Sequence, residues 1–213
     1  MTLTLPPHIT AATAMDAMTH ATEAFTCMAK NPLSDAYATA AIKKISQSLL
    51  QVMDNPKDSD GRLELAQAST MAGIAFSNSM VGLVHALGHA TGAVCHLPHG
   101  LCMSLYLPYA LEYNLETIRE PLGELLLYLE GPEVFAATPA SRRAEASISA
   151  IRKLRDALYK RCQLPRTLKE TGKVTEAQLD HIAEMALDDG SIMFNPKEVT
   201  LEDARSVLRR AWA

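Results

Sequence analysis

Residues 11–28 read AATAMDAMTHATEAFTCM, and the segment NPLS follows at residues 31–34. Ala and Met recur at helical spacing through the first segment, which contains neither Gly nor Pro, so it predicts an α-helix. The second segment combines a proline with two residue types that cap helices, which predicts that one helix ends there and that Ser34 starts another. A long helix followed by a short joint is therefore the building unit at this end of the chain.

The same unit recurs along the rest of the sequence. Pro and Gly are mostly confined to joints, and strands do not alternate with helices. After a short extended opening at residues 2–7, we expect helices at about residues 11–28, 34–53, 62–76, 84–99, 101–129, 141–162, 175–186 and 200–212. The low polarity of the third segment predicts that its helix is buried. The predicted fold class is all-α, a multi-helix bundle forming one domain over residues 1–213.

Composition limits the possible classes of function. The 213 residues are 48% hydrophobic, which is enough for a substantial core. A formal net charge of −4 without a long charged run argues against nucleic acid or an anionic membrane as partner. Because residues 1–10 do not resemble a signal peptide and no run of about 20 apolar residues occurs, we expect a soluble cytoplasmic protein. We also expect reduced, mostly buried thiols, since no paired spacing relates Cys27, Cys95, Cys102 and Cys162.

Two pairs of polar residues stand four positions apart. Asp16 and His20 would share one face of a helix, and so would His85 and His89. Four of the seven histidines fall between His85 and His99. A set of carboxylate and imidazole ligands without thiolate suits Fe(II), Zn(II), Mn(II) or Co(II). The two segments therefore allow a shared metal site. The chain as a whole lacks any Gly-x-Gly-x-x-Gly or Walker loop that would bind phosphate.

Each pair also has an interpretation without metal. Asp-x-x-x-His on a helix is often a surface hydrogen-bonded pair, and spacing alone favours that interpretation for Asp16 and His20. His85 and His89 lie beside glycines, which fits closely packed helices whose buried imidazoles find partners within the protein. A shared cation would satisfy the polar groups of both apolar segments at once, and such groups are costly to bury alone. Spacing leaves both interpretations open.

Residues 15–25, MDAMTHATEAF, resemble the aspartate and histidine helix of the iron-containing, group III alcohol dehydrogenases. Further segments follow in the family's order and at similar separations: NPLSDA at 31–36, AGIAFSN at 72–78, GLVHALGH at 82–89 and LPHG at 97–100. The resemblance covers essentially the whole chain. It implies the fold of the family's helical C-terminal domain, which is of the dehydroquinate synthase-like type.

Position by position, the resemblance also implies the residues of a site. The implied metal ligands are Asp16, His20, His85 and His99. The implied catalytic residue is His89, which corresponds to a histidine on the substrate side or in a proton relay.

Two further residues correspond to positions near the cofactor. Phe76 resembles an aromatic residue that lines the cleft, although a Phe at a helix end also suits plain core packing. Thr13 lies where the family's chain approaches the cofactor, although it also suits a helix cap. His96 matches no ligand of the family, and residues 188–194 fall in a region that varies and shapes the substrate pocket.

The function implied by the resemblance is a metal-dependent alcohol dehydrogenase. It would interconvert a small primary or secondary alcohol and its aldehyde or ketone with NAD or NADP, using Fe(II), or alternatively Zn(II), and forming a homo-oligomer. The family's N-terminal nucleotide-binding domain has no counterpart in these residues, so we expect the isolated chain to be inactive. The alternative function is a non-enzymatic metal-binding or dimerising helical module. Metal-assisted hydrolysis ranks last, because the paired His-Asp dipeptide that it needs is missing.

Overall fold

The computed structural model describes residues 2–213, which fold into α-helices joined by short turns and 3-10 segments, without a strand in that range. The all-α prediction is confirmed. The helices are α1 (Pro7–Thr26), α2 (Pro32–Asp54), α3 (Ser59–Ser79), α4 (Leu83–Cys95), α5 (His99–Glu124), α6 (Leu126–Glu130), α7 (Pro132–Ala137), α8 (Arg143–Cys162), α9 (Leu179–Leu187) and α10 (Leu201–Trp212). The 3-10 segments are Thr2–Thr4, Ala140–Arg142, Lys169–Thr171, Glu176–Gln178 and Gly190–Phe194.

Local sequence signals explain where α2 begins. The side chain of Asn31 accepts hydrogen bonds from the backbone N–H groups of Leu33 and Ser34, at 3.2 and 3.1 Å. The hydroxyl of Ser34 in turn accepts from the backbone N–H of Asn31 at 3.2 Å, which completes a capping box. Ser34 is therefore not the first cap, as the sequence predicted, but its partner in the third helical position. An N-cap of this kind contributes about 1 kcal/mol.

Three expectations from the sequence are wrong in detail. Residues 2–4 form a 3-10 turn closed by a hydrogen bond from Leu5 N–H to the Thr2 carbonyl at 3.1 Å, where an extended segment was expected. The helix expected over 101–129 is kinked at Ile118 (φ −110°, ψ 15°), in the turn before Pro121, whose ring disfavours regular helix geometry there, and it is divided at Leu125 between α5 and α6. The third helix is buried on one face only, because Leu63 on its other face is 56% exposed.

Helix α1 lies at the centre of the bundle. It packs against α2, α3 and α5, and Met15, Met18 and Ala21 on it are completely buried. Burial of each methionine side chain contributes about 1.5–3 kcal/mol. The helix that carries Asp16 and His20 is therefore held by packing against three neighbours.

The remaining helices complete the bundle around α4 and α5. The amphipathic segment predicted over residues 141–162 is α8, which buries Ile148, Ile151 and Leu158 and packs against α5. Helix α9 packs against α4 and α10, and α10 also packs against α5. The 3-10 segment Gly190–Phe194 after α9 lies against α4. The C-terminal part of the chain thus packs beside the histidine-rich segment, through α9 and the 3-10 segment Gly190–Phe194.

The chain bends by 106° between α3 and α4. Met80 in this joint has a φ of 104°, a left-handed conformation that L residues rarely adopt. Of the helices in residues 2–213, none alone has the length and apolar composition to cross a membrane; α3 and α4 meet those criteria only as this bent pair. The bend turns the first residues of α4 toward α1.

Candidate metal centre

Four side chains from three helices converge at one point. Asp16 and His20 project from α1, His85 from the first turn of α4, and His99 from the first residue of α5. One ligand-type atom of each lies within 4.8 Å of those of the other three. We call these four residues the ligand cluster. Ligands held about 2.1 Å from one cation lie on the order of 3–4 Å apart, so the cluster has the dimensions of a metal site.

A glycine permits this close approach of α5 to α1. A Cβ atom on Gly100 would lie 2.6 Å from the carbonyl oxygen of Ala12 and 3.3 Å from the Cβ atom of Asp16. The first contact is shorter than real Cβ atoms tolerate, so any larger residue would push the two helices apart. Gly100 therefore brings its neighbour His99 next to Asp16.

Polar atoms within the cluster lack hydrogen-bond partners. Asp16 Oδ1 and His85 Nε2 are both buried and accept no hydrogen bond. His99 Nε2 and His20 Nδ1 approach Asp16 Oδ1 to 3.2 and 3.5 Å, close enough for electrostatic attraction but without the geometry of a hydrogen bond. Each buried polar atom left without a partner costs about 1–3 kcal/mol. A bound cation would remove this cost, and one carboxylate with three imidazoles suits a divalent first-row metal. The residues present therefore fit the metal that the resemblance to the family implies.

The electrostatics of the cluster lower the pKa of two of its residues, His20 and Asp16, and raise the pKa of a third, His99. Burial, reinforced by the nearby charge of His85, lowers the pKa of His20 to about 4. Burial by itself would raise the pKa of Asp16, but the contact with His99 and the charges of the histidines outweigh it and lower the pKa. The Asp16 carboxyl raises the pKa of His99 in return, against the effect of burial. His99 is thus the ligand for which protons compete most strongly with a cation.

His89 lies at the rim of the cluster and outside the group of converging ligand atoms. Its ring centroid is 5.6 Å from that of His85 and 5.3 Å from that of His99, and 42% of its side chain is exposed. Its Nδ1 atom is 2.8 Å from Asp189 Oδ2. Burial opposes ionisation of Asp189, but hydrogen bonds from Ser191 and His89 outweigh it and lower the pKa. No spacing in the sequence distinguishes Asp189, although it lies in the segment 188–194 that was expected to shape the substrate pocket.

The two residues predicted to lie near a cofactor have different surroundings. Phe76 stacks on the ring of His20, with centroids 4.4 Å apart and an interplanar angle of 21°, so it borders the cluster. Thr13 is exposed and donates its hydroxyl hydrogen bond to the carbonyl of Ile9 at 2.8 Å, within its own helix. It also lines a cavity of about 350 Å³ between α1, α3 and the 3-10 turn at residues 2–4. The cap alternative does not apply to Thr13, because Pro6 is the N-cap of α1.

His96, Glu23 and the four cysteines lie outside the ligand cluster. His96 ends α4 in a left-handed conformation and is not part of the converging group. Glu23, a residue of α1 for which the sequence predicted no role, lies 2.5 Å from His85 Nδ1 through its Oε2 atom. The four cysteines are free, and three of them are buried, as expected.

Comparison with known proteins agrees with this architecture. The profile of the Fe-containing alcohol dehydrogenase family, C-terminal part, matches residues 10–212. Alcohol dehydrogenase 4 of Saccharomyces cerevisiae is 36% identical over 210 residues, which are 98% of this chain and 52% of that protein. The NADPH-dependent butanol dehydrogenase of Clostridium saccharobutylicum is 32% identical over 207 residues, 96% of this chain and 51% of that protein.

A solved structure shares the fold. The crystal structure of a 1,3-propanediol oxidoreductase superimposes with a TM-score of 0.92 at 33% identity, and the match covers 99% of this chain and 53% of that one. The chain spans about half the length of the curated relatives it matches. The chain therefore belongs to the Fe-containing alcohol dehydrogenase family, and it corresponds to that family's helical C-terminal part.

Proposed function

We propose that residues 1–213 form the helical, metal-binding unit of an enzyme that interconverts a small alcohol and its aldehyde or ketone, with NAD or NADP as the hydride carrier. The observation that carries this proposal is the convergence of the ligand cluster, with Asp16 Oδ1 and His85 Nε2 buried and unpaired. The names of the two relatives, an alcohol dehydrogenase and a butanol dehydrogenase, support an alcohol as the class of substrate.

The four residues of the cluster would hold the metal ion, Fe(II) or alternatively Zn(II). A divalent cation bound there supplies Lewis-acid chemistry, which lowers the pKa of a coordinated hydroxyl group. The chain's own residues provide a ligand set with a net charge of about −1, because one carboxylate accompanies three neutral imidazoles. Burial of His85 at 2% exposure excludes water from one side of the site.

His89 is proposed to move the proton. The Asp189 carboxylate accepts a hydrogen bond from His89 Nδ1–H, which leaves Nε2 unprotonated and able to take a proton from a substrate hydroxyl. Because 42% of the His89 side chain is exposed, the proton can pass from this ring to solvent. In the direction of aldehyde reduction the same ring returns the proton.

A second domain is proposed to complete the cleft. A nucleotide-binding domain would face the exposed side of α3 and the cavity beside Thr13, with Phe76 forming the wall above His20. The dinucleotide would bind across this cleft, so the isolated chain should bind metal without turning over alcohol. We further propose a homo-oligomer and no role for nucleic acid, consistent with the net charge of −4.

The proposal is tested by joining a nucleotide-binding domain to this chain. The nucleotide-binding part of the yeast relative, joined in frame before residue 1, should give Fe(II)-dependent reduction of NAD or NADP with small primary alcohols. The His85→Ala variant of the same fusion should lose this activity and its metal together. A fusion that binds dinucleotide and one metal ion per chain, yet oxidises no alcohol, would contradict the enzymatic proposal and favour a metal-binding module.

A further inference from the structure

The first turn of α4 is capped by side chains from elsewhere in the fold. Its N-cap residue, Gly82, has no side chain that could accept the free backbone N–H groups. Glu23 of α1 instead accepts from Val84 N–H through Oε1 at 2.8 Å, and Asn195 Oδ1 accepts from Leu83 N–H at 3.2 Å. A Cβ atom on Gly82 would lie 3.0 Å from Asn195 Oδ1 and 3.3 Å from Glu23 Oε1, so the glycine makes room for both caps.

The second oxygen of Glu23 contacts a ring nitrogen of the ligand cluster. Glu23 Oε2 lies 2.5 Å from His85 Nδ1, and both side chains are nearly completely buried. An ionised carboxylate can only accept hydrogen bonds, and Val84 N–H already occupies the other oxygen. The ring proton of His85 must therefore lie on Nδ1, within this hydrogen bond.

The position of this proton decides the state of the other ring nitrogen of His85, Nε2. With the proton on Nδ1, His85 Nε2 carries a lone pair, and this is the atom that is buried without a partner in the cluster. Metal-bound histidines commonly donate their other N–H to a carboxylate, which fixes the tautomer and the orientation of the ring. Glu23 itself is not among the converging ligand atoms, and each of its oxygens already accepts a hydrogen bond.

We propose that Glu23 is a positioning residue of the metal site: its carboxylate holds His85 in the Nδ1–H tautomer and aims Nε2 at the cluster. This inference rests on the proposed function in one respect only: the group bound at the ligand cluster is taken to be a metal ion. It assigns one side chain two tasks, since the same carboxylate caps α4 and selects the tautomer of the ligand that α4 carries.

The variant Glu23→Gln separates the two tasks. A glutamine has one acceptor oxygen and one donor NH₂ group where glutamate has two acceptors. The backbone N–H of Val84 cannot move its proton, whereas the imidazole can change tautomer. The Gln oxygen should therefore keep the bond to Val84, and its NH₂ group should donate to His85 Nδ1. The proton of His85 would then move to Nε2 and block the lone pair that faces the cluster.

The first measurement needs no metal. In chelator-treated protein labelled with ¹⁵N-histidine, long-range ¹⁵N–¹H spectra should show His85 as the Nδ1–H tautomer in the unmodified chain and as Nε2–H in Glu23→Gln. Asn195→Ala is the matched control, because it removes the other cap of α4 and leaves the ring contact intact. It should keep the Nδ1–H tautomer. An Nε2–H tautomer in the unmodified chain, which requires no variant to fold, would overturn the proposal.

The second measurement is the dissociation constant for Zn(II) or Co(II), obtained by competition with a chelator. Glu23→Gln should weaken binding about 10- to 100-fold and change the visible spectrum of bound Co(II). In a His85→Ala background the same substitution should cost less than about 2-fold, because Glu23 acts through His85. If Glu23→Gln weakens metal binding equally in the unmodified and the His85→Ala backgrounds, its role is merely structural and the proposal is overturned. The same conclusion follows if Asn195→Ala weakens metal binding as much as Glu23→Gln does.

These measurements also distinguish two kinds of failure. If the unmodified chain binds no metal but His85 shows the predicted change of tautomer, the proposed function fails while the role of Glu23 on His85 stands. If metal binds and the tautomer does not respond to Glu23→Gln, the positioning role fails while the metal site stands.

Discussion

His20 shows most clearly how burial tunes a single residue of this site. Its imidazole lies between the ring of Phe76 and that of His85, with both centroids at 4.4 Å. Burial makes a charged imidazole costly there, and the neighbouring His85 adds to that cost; together they outweigh the attraction of Asp16 and Glu23, so the pKa falls to about 4. His20 therefore remains an available ligand in mildly acidic solution.

This shift predicts a pH dependence of stability in chelator-treated protein. An unfolded chain protonates His20 near pH 6.5, whereas the folded chain does so only near pH 4. Between these values the unfolded state binds more protons, so this contribution to stability is complete above pH 6.5 and is lost as pH falls toward 4. The loss amounts to about 3 kcal/mol.

Urea unfolding at several pH values between 7 and 4 checks the prediction. The His20→Gln variant should lack this contribution and show a correspondingly flatter decline in the free energy of unfolding. Parallel declines in the two proteins, or a pKa near 6.5 for His20 in NMR titration, would contradict it.

The pairing of His89 with Asp189 supports a second prediction at the residue scale. In the completed enzyme, Asp189→Ala should lower kcat/KM about 10-fold or more, because the ring of His89 loses the partner that orients it. Metal affinity should stay within about 2-fold, since neither residue belongs to the ligand cluster. In a His89→Ala background Asp189→Ala should have little further effect on kcat/KM, whereas independent, multiplicative losses would contradict the proposed relay.

Spacing could propose the ligands but could not rank the histidines. His85 and His89 both satisfy a four-residue helical repeat, and the choice between them came from the resemblance to a family. The structure shows a physical difference that spacing does not contain: His85 is 2% exposed and held by Glu23, whereas His89 is half-exposed and held by Asp189. These partners lie 62 and 100 residues away from the histidines that they contact.

At the scale of helices, the site depends on how closely α5 approaches α1. Gly100→Ala should weaken Zn(II) binding at least 10-fold and lower stability by about 1–3 kcal/mol, because the added methyl group would lie 2.6 Å from the Ala12 carbonyl oxygen. Isothermal titration and urea unfolding measure these two effects.

Gly73→Ala provides the matched control for that substitution. Gly73 lies within α3, and a Cβ atom there would meet nothing within 4 Å. Alanine is the better helix former by about 0.5–1 kcal/mol, so this variant should be as stable as the parent or more so and should bind metal normally. Normal metal binding by Gly100→Ala would show that contact between α1 and α5 does not set the geometry of the site.

The identity of the long helices followed from periodicity, but their ends did not. Asn31 rather than Ser34 caps α2, because either residue type can cap and only the backbone geometry selects one. The kink at Ile118 and the break at Leu125 were missed because the apolar pattern continues across both, while the bend before Pro121 depends on how the helix packs. The resemblance supplied the architecture that periodicity alone could not, namely which helices meet.

For the whole molecule, a bound cation would connect helices that are far apart in sequence. Asp16, His85 and His99 lie on α1, α4 and α5, so metal binding should favour the folded state. At a free concentration about 100 times the dissociation constant, the gain is about 2.7 kcal/mol, or roughly 5–10 °C in Tm for a chain of this size. Differential scanning calorimetry with and without Zn(II) measures it, and an unchanged Tm in saturating metal would contradict binding to the folded state.

The central claim is that the ligand cluster binds one metal ion, and metal analysis of the purified chain tests it most directly. Inductively coupled plasma mass spectrometry after loading with Fe(II) or Zn(II) and desalting should find about one ion per chain in the unmodified protein and in His96→Asn, which alters a histidine outside the cluster. His85→Ala and Asp16→Ala should retain almost none. If the unmodified chain takes up no metal at micromolar concentrations, or if the two ligand variants retain it as well as His96→Asn does, the account of this site is wrong.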